Sequence, residues 1–150
     1  MIASILVVCV GNICRSPVGE RLLSKLLPAV HVTSSGIGAL VGAPADSVAA
    51  EVAAEHALSL EGHVARAFDP EDAAQKDLIL VMEPGHKREI VKQYPHLQGR
   101  IMLFDQWTTA TGIPDPYQKP RSIHGHVYTQ IEAAAVAWAT RLNPHKEVTL

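Results

Sequence analysis

Short apolar runs alternate with stretches of helical periodicity along the chain. The run Ile2–Val8 predicts a buried strand. Pro17 fits the first turn of the following helix, whose apolar residues recur at helical spacing as far as Leu27. Similar apolar runs predict three more strands, at Val30–Ser34, Asp77–Met82 and Arg100–Phe104.

The segments between these runs have a helical pattern. Asp46 can cap an alanine-rich helix that extends to about Leu58, and a short helix is predicted after Asp69 and Pro70. Two longer helices are predicted, from Pro84 to about Tyr94 and from about Gly125 to Leu142. The alternation predicts an α/β fold with three layers, in which helices cover both faces of a four-stranded parallel sheet. Because no repeat or linker interrupts the pattern, we expect one domain over residues 1–150.

Composition narrows the function classes. The chain is 47% hydrophobic and carries a net charge of -2, so it has no basic excess for binding a nucleic-acid backbone. The first apolar run is too short to span a membrane and lacks the features of a signal peptide, which favours a cytoplasmic protein without membrane insertion. The two cysteines, Cys9 and Cys14, are too close in sequence to staple a fold. We therefore expect their role to be chemical.

The turn between the first strand and the first helix contains both cysteines, together with Arg15 and Ser16. Ligands bind beyond the carboxyl ends of the strands in such sheets, and a loop that enters a helix N-terminus favours an anion such as phosphate. Cys9 would lie below the phosphate as a thiolate nucleophile. Arg15 can offer a planar fork to two phosphoryl oxygens, and Ser16 can hydrogen-bond the sulfur when it leaves.

Cleavage of a phosphate ester at such a thiolate also needs a proton donor for the leaving group, and a thiolate cannot supply one. Asp115 is the best candidate, because two prolines flank it and hold its backbone in place. Tyr117 is predicted to form a wall of the pocket and to stack on the ring of the substrate. Without the cysteine motif, the same segment would be interpreted as a simple turn.

Two other patterns are interpreted as structural. The glycines of Ser35–Gly42 do not have the GxGxxG spacing of a dinucleotide loop. His124 and His126 are two residues apart, so they cannot share one face of a helix as zinc ligands would. We expect both histidines to be surface residues, and we expect neither a metal site nor a cofactor.

The segments "VCVGNICRSP", "HVAR" and "IPDPY" resemble those of the low-molecular-weight protein-tyrosine phosphatases, and the resemblance extends over the whole chain. It is strongest for the bacterial branch encoded alongside the tyrosine autokinases of exopolysaccharide and capsule production. The resemblance implies metal-free hydrolysis of phosphotyrosine through a phosphocysteine intermediate. It also implies a tyrosine-phosphorylated partner, the cytoplasmic tail of a membrane autokinase. A monomer is expected, although no residue reports on oligomeric state.

The resemblance assigns roles to residues whose positions match. Cys9 takes the place of the nucleophile and Arg15 that of the phosphate-binding arginine. The rest of the phosphate loop is then Val10, Gly11, Asn12, Ile13 and Cys14. Asn12 also suits a left-handed backbone conformation, and Ser16, Ser34 and His63 match the polar network that holds this asparagine in the family. Leu40 replaces a larger side chain and predicts a more open mouth, while Gln118 replaces a frequent second aromatic residue.

Three alternatives compete with this interpretation. Arsenate reductases use a similar loop but need further cysteines, which are absent from Met82–Ile90. A phosphocysteine carrier would need neither Arg15 nor a proline-framed aspartate, and turnover of an aryl phosphate would exclude it. A phosphotyrosine-binding module would lack part of the catalytic set. Cys14 is predicted to form a disulfide with oxidised Cys9 and so to protect it from further oxidation; the alternative is a buried packing role.

Overall fold

The computed structural model describes residues 1–150 and shows a four-stranded parallel sheet with strand order β2-β1-β3-β4. The strands are β1 (Ser4–Cys9), β2 (His31–Gly36), β3 (Leu78–Val81) and β4 (Ile101–Leu103). The helices are α1 (Arg15–Leu26), α2 (Ser47–Glu55), α3 (Pro70–Ala73), α4 (Pro84–Gln93) and α5 (Arg121–Leu142). A 3-10 helix at Pro95–Arg100, which the pattern did not predict, leads into β4.

Helices cover both faces of the sheet, as expected. Side chains alternate between the faces along a strand, and in β1 Ile5 and Val7 lie in one apolar cluster while Leu6 and Val8 lie in the other. The first cluster includes residues of α1, α2 and α5, and the second includes residues of α3 and α4. Strand β1 therefore lies at the centre of the molecule, and the loop that follows it opens at the middle of the sheet edge.

Several element ends differ from their predicted positions by a few residues. Helix α1 begins at Arg15, so Pro17 lies in its first turn as predicted, but other ends are shifted. Helix α2 is capped by the Asp46 carboxylate as predicted, but it ends at Glu55 because Ala57 adopts a positive φ of 58°. Helix α5 begins at Arg121, directly after Pro120, instead of near Gly125. None of these shifts changes the order of the elements.

The prediction that His124 is a surface residue was wrong, whereas His126 is exposed as expected. His124 is only 4% exposed, and its Nε2 lies 4.0 Å from the Asp46 carboxylate. With Val127 and Tyr128 it forms the buried stripe of α5 at helical spacing. The earlier start of α5 places His124 on that stripe.

Asp77 connects the beginning of β3 to the beginning of β1. Its carboxylate accepts hydrogen bonds from the N–H groups of Ala3 and Ser4, at 2.7 and 3.1 Å, and the Ser4 hydroxyl accepts from the Asp77 N–H. These backbone donors hold the pKa of Asp77 below its usual range, because they stabilise the ionised carboxylate. No helix of the chain combines the length and the apolarity needed to cross a membrane.

Candidate active site

The loop between β1 and α1 is held from outside through its carbonyl groups. The carbonyl oxygens of residues 9–13 accept hydrogen bonds of 2.6 to 3.1 Å: three from N–H groups of residues 37–40, one from His63 and one from the Asp46 N–H. In a trans peptide the C=O and the following N–H point in opposite directions, and the chain has no cis peptide bond. The N–H groups of residues 10–14 therefore point into one concavity, which favours an anion.

Asn12 lies in the middle of this loop, fully buried and with a φ of 57°. Its Oδ1 accepts the backbone N–H of Arg66 at 2.9 Å, so its amide nitrogen faces the hydroxyls of Ser16 and Ser34, at 2.7 and 3.1 Å. Its carbonyl accepts a hydrogen bond from Nε2 of His63 at 2.6 Å. The structure thus places Ser16, Ser34 and His63 in contact with Asn12.

Cys9 lies at the end of β1, beneath the concavity, and is 2% exposed. Its Sγ lies 2.9 Å from the hydroxyl oxygen of Ser16. Because that oxygen already accepts a hydrogen bond from Asn12, its single proton is available to the sulfur. The Ser16 hydroxyl is therefore the hydrogen-bond donor nearest to the Cys9 sulfur.

Arg15 begins α1 and is 1% exposed. Its Nη1 donates to the carboxylate of Glu83 and to the carbonyl of Ile113, both at 2.7 Å. Its Nη2 lies 3.8 Å from the carboxylate of Asp115. The guanidinium therefore connects the phosphate loop to the two segments that follow β3 and β4.

Asp115 and Arg15 line one cavity of about 140 Å³ together with the phosphate loop. The Asp115 side chain is 46% exposed, and its Oδ1 accepts the backbone N–H of Tyr117 at 3.0 Å, which orients the carboxyl group. Leu40 and Tyr117 line the same cavity and are 46% and 40% exposed. Gln118 is exposed and adopts a positive φ of 59°. The mouth of the cavity is therefore apolar, with a carboxylate at its edge.

Cys14 is buried at the end of the loop, and both cysteines are free. Burial raises the pKa of the Cys14 thiol far above its usual value, and the carboxylates of Asp46 and Asp115 act in the same direction. Cys14 is therefore a neutral thiol at neutral pH, and it cannot compete with Cys9 as a nucleophile.

A larger cavity, of about 620 Å³, lies elsewhere, between α2 and residues 57–63. Its walls are mainly alanine and leucine side chains, and Glu61 and His63 are the titratable residues among them. No group of three or more histidine, cysteine or carboxylate residues is arranged to hold a metal ion. We place the candidate site at the phosphate loop, because a backbone cradle, a cysteine, an arginine and a carboxylate meet there.

Three residues that support this site, Glu20, Glu83 and His86, were not predicted from the sequence pattern. Ser34 donates to the carboxylate of Glu20 at 2.9 Å, and Glu83 contacts both Arg15 and His86. Glu83 is 68 residues from Arg15, so no local spacing could have linked the two. Parallel strand order brings them together, because β3 lies directly beside β1.

A buried cysteine below an N–H cradle, with an arginine at the start of the following helix, is the arrangement expected from the sequence for a phosphatase. The chain belongs to the family described as low molecular weight phosphotyrosine protein phosphatase, whose sequence pattern matches residues 4–148. It is 52% identical to the low molecular weight protein-tyrosine-phosphatase Etp of Escherichia coli K12 over 140 residues, which cover 93% of this chain and 95% of Etp.

Two further comparisons agree with this assignment. The chain is 50% identical over 143 residues to the phosphatase Wzb of the same organism, with 95% of this chain and 97% of Wzb covered. The crystal structure of the tyrosine phosphatase Wzb from Escherichia coli K30 in complex with sulphate superposes with a TM-score of 0.93 at 46% identity, covering 95% of this chain and 99% of that one. The family and the fold expected from the sequence are confirmed, and the protein is a tyrosine phosphatase of the type that Etp and Wzb represent.

Proposed function

We propose that the protein hydrolyses phosphotyrosine in proteins through a phosphocysteine intermediate on Cys9. The observation that carries this proposal is that the five carbonyl groups of residues 9–13 all accept hydrogen bonds from outside the loop, which turns the N–H groups of residues 10–14 toward the cavity that Cys9 lines. A phosphoryl group in that cradle has its phosphorus within reach of the sulfur, and Arg15 lies beside its oxygens.

In the first step, the Cys9 thiolate attacks phosphorus, and the bond between phosphorus and the tyrosine oxygen breaks. Asp115, at the edge of the cavity, gives its proton to the departing phenolate oxygen. In the second step, water attacks the phosphocysteine while the Asp115 carboxylate accepts its proton. Cys9 leaves as a thiolate, which the Ser16 hydroxyl stabilises, and phosphate is released.

The mouth of the cavity supports an aryl ester as substrate. Leu40 and Tyr117 expose apolar surface beside the cradle, and a tyrosine ring can pack between them while its phosphate reaches Cys9. Because Gln118 stands in place of a second aromatic residue, ring contacts on that side come from Tyr117 alone.

As its physiological partner we propose the tyrosine-phosphorylated cytoplasmic tail of a membrane autokinase that controls exopolysaccharide or capsule production. The support is the resemblance to the branch encoded beside such kinases and the high identity to Etp and Wzb. The enzyme would then act in the cytoplasm, as a monomer.

Substrate trapping tests the chemistry and the partner together. The variant Cys9→Ser should keep phosphate binding, because the cradle consists of backbone groups, and should lose nearly all turnover of p-nitrophenyl phosphate. Turnover above about one per cent of wild type would refute a Cys9 nucleophile. The tyrosine-phosphorylated proteins that this variant retains from the native cell, and that wild type releases, identify the partner.

We also propose a redox role for Cys14. Peroxide converts the Cys9 thiolate to sulfenic acid and releases hydroxide. The Cys14 thiol then attacks the sulfenic sulfur, so that a Cys9–Cys14 disulfide forms and water leaves. Because burial raises the pKa of Cys14, trapping by this thiol should be slow at neutral pH and faster in alkaline solution.

A further inference from the structure

The guanidinium of Arg15 forms hydrogen bonds through Nη1, whereas its Nε–Nη2 edge forms none within the protein. Nη1 donates to Glu83 and to the carbonyl of Ile113, so both of its protons are used. Nε is buried and has no hydrogen-bond partner in the protein, and the nearest Asp115 oxygen is 3.8 Å from Nη2, too far for a hydrogen bond. Nε–H and the adjacent Nη2–H are parallel donors, and such a pair matches two oxygens of a phosphoryl group.

The two acceptors on the occupied side are held together by the backbone. The N–H of Ile113 donates to the carbonyl of Met82 at 2.7 Å, directly before Glu83. Gly112 packs closely against the same segment, because a Cβ at this position would lie 3.4 Å from the Cα of Glu83 and 3.1 Å from Pro84. The backbone segments that carry these two acceptors are therefore held together.

His86 holds the Glu83 carboxylate from the other side. Its Nε2 lies 3.1 Å from the same carboxylate oxygen that accepts from Arg15. Its Nδ1 is buried without a partner, so a neutral ring with its proton on Nε2 places that proton beside the Glu83 carboxylate. Burial lowers the pKa of His86, and the positive charge of Arg15 adds to this effect, so the ring is neutral at neutral pH.

We propose that Glu83 and His86 are positioning residues for the phosphatase reaction, which hold Nη1 of Arg15 so that its Nε–Nη2 edge faces the phosphate. The proposal rests on the proposed function of Arg15 as the phosphate ligand. The alternative is that Glu83 only neutralises a buried guanidinium, which also needs a counter-charge. The two roles predict different effects of removing Glu83. If Glu83 positions Arg15, phosphate affinity and turnover fall; if it only neutralises the guanidinium, only the stability of the protein falls.

The first test is Glu83→Gln, which keeps an acceptor oxygen but removes the charge that attracts both Arg15 and His86. We expect the competitive inhibition constant of inorganic phosphate to rise about tenfold, and kcat/KM for p-nitrophenyl phosphate to fall about a hundredfold. Glu89→Gln is the matched control, since Glu89 lies on the same helix and its carboxylate contacts only the exposed Gln93. That variant should behave as wild type in both assays.

The second test uses His86, which is outside the cavity that binds substrate. His86→Phe fills the space but has no donor, whereas His86→Gln can still donate an amide proton to Glu83. We expect phosphate inhibition to weaken a few-fold in the Phe variant and to recover in the Gln variant. In a Glu83→Gln background the difference between the two should vanish, because His86 acts through Glu83.

The outcomes separate this proposal from the proposed function. Unchanged phosphate inhibition and kcat/KM in Glu83→Gln, with or without a lower Tm, would overturn positioning. If Glu83→Gln does not fold, the His86 pair decides alone: equal phosphate inhibition in its Phe and Gln variants would overturn the proposal. If Cys9→Ser stays active, the proposed mechanism fails, but phosphate inhibition still reports on the Arg15 edge.

Discussion

Gly36 provides a sharp test of how tightly the phosphate loop is packed. It ends β2 beside Cys9, and a Cβ at this position would lie 2.2 Å from the carbonyl oxygen of Val10 and 3.1 Å from the backbone nitrogen of Asn12. Real Cβ contacts are essentially never shorter than 3.0 Å, so Gly36→Ala must displace the loop or the strand by about 0.8 Å. Both obstacles are backbone atoms, which no change of rotamer can move aside.

A shift of this size affects catalysis more than stability. Misplacement of catalytic groups by about 1 Å can cost roughly a hundredfold in rate, whereas overpacking typically costs about 1–3 kcal/mol of unfolding free energy. We therefore expect kcat/KM of Gly36→Ala for p-nitrophenyl phosphate to fall about a hundredfold, in a protein that still shows a cooperative urea transition.

Gly125→Ala is the matched control. Gly125 lies in α5, and a Cβ added there would have no atom within 4 Å apart from the backbone of its own helix and its chain neighbours. Alanine there should leave kcat/KM unchanged and raise the free energy of unfolding by up to about 1 kcal/mol. If Gly36→Ala keeps kcat/KM within threefold of wild type, the loop does not depend on this close contact and the reasoning is refuted.

Three further predictions concern the proton donor Asp115, the carboxylate of Asp77 and the thiol of Cys14. Asp115→Asn should slow aryl phosphates with poor leaving groups far more than activated ones in steady-state assays; equal losses would leave Asp115 only a structural role. Because the pKa of Asp77 is lowered in the folded protein, its ionised carboxylate stabilises the fold fully above the unfolded pKa of about 3.9. This stabilisation is lost as the pH falls through the folded pKa. Urea titrations should accordingly show a larger deficit for Asp77→Asn at pH 7 than at pH 2, and a constant deficit would contradict this linkage. After peroxide treatment, thiols should restore wild type but not Cys14→Ser, and mass spectrometry that finds free Cys14 beside sulfinic Cys9 would refute protection.

Local signals in the sequence predicted the features that depend on neighbouring residues. The Asp46 cap, the short helix after Asp69 and the buried strand before Cys9 all depend on residues within one turn or one strand, and the structure contains each of them. The start of α5 was placed too late, since Gly125 marked no boundary and helix formation began directly after Pro120. That error also gave the wrong environment for His124.

Features that depend on strand order could not be predicted from the pattern of apolar and polar residues. Glu83 follows β3 and Ile113 follows β4, yet both contact Arg15, which follows β1. Only the order of the strands in the sheet makes these residues neighbours, and no periodicity along the chain encodes it. The contacts of Asn12 with Ser34 and His63 were available only through the family resemblance, for the same reason.

The central position of β1 also has a consequence for the enzyme during its synthesis. The loop after β1 emerges from the ribosome first, but its supports at His63, Arg66 and Glu83 are translated much later, and Ile113 is later still. A nascent chain that ends before Ile113 has the cysteine but lacks one of the two acceptors that hold Arg15. Phosphatase activity should therefore begin only after Ile113 has been translated, and products truncated before it are expected to be inactive.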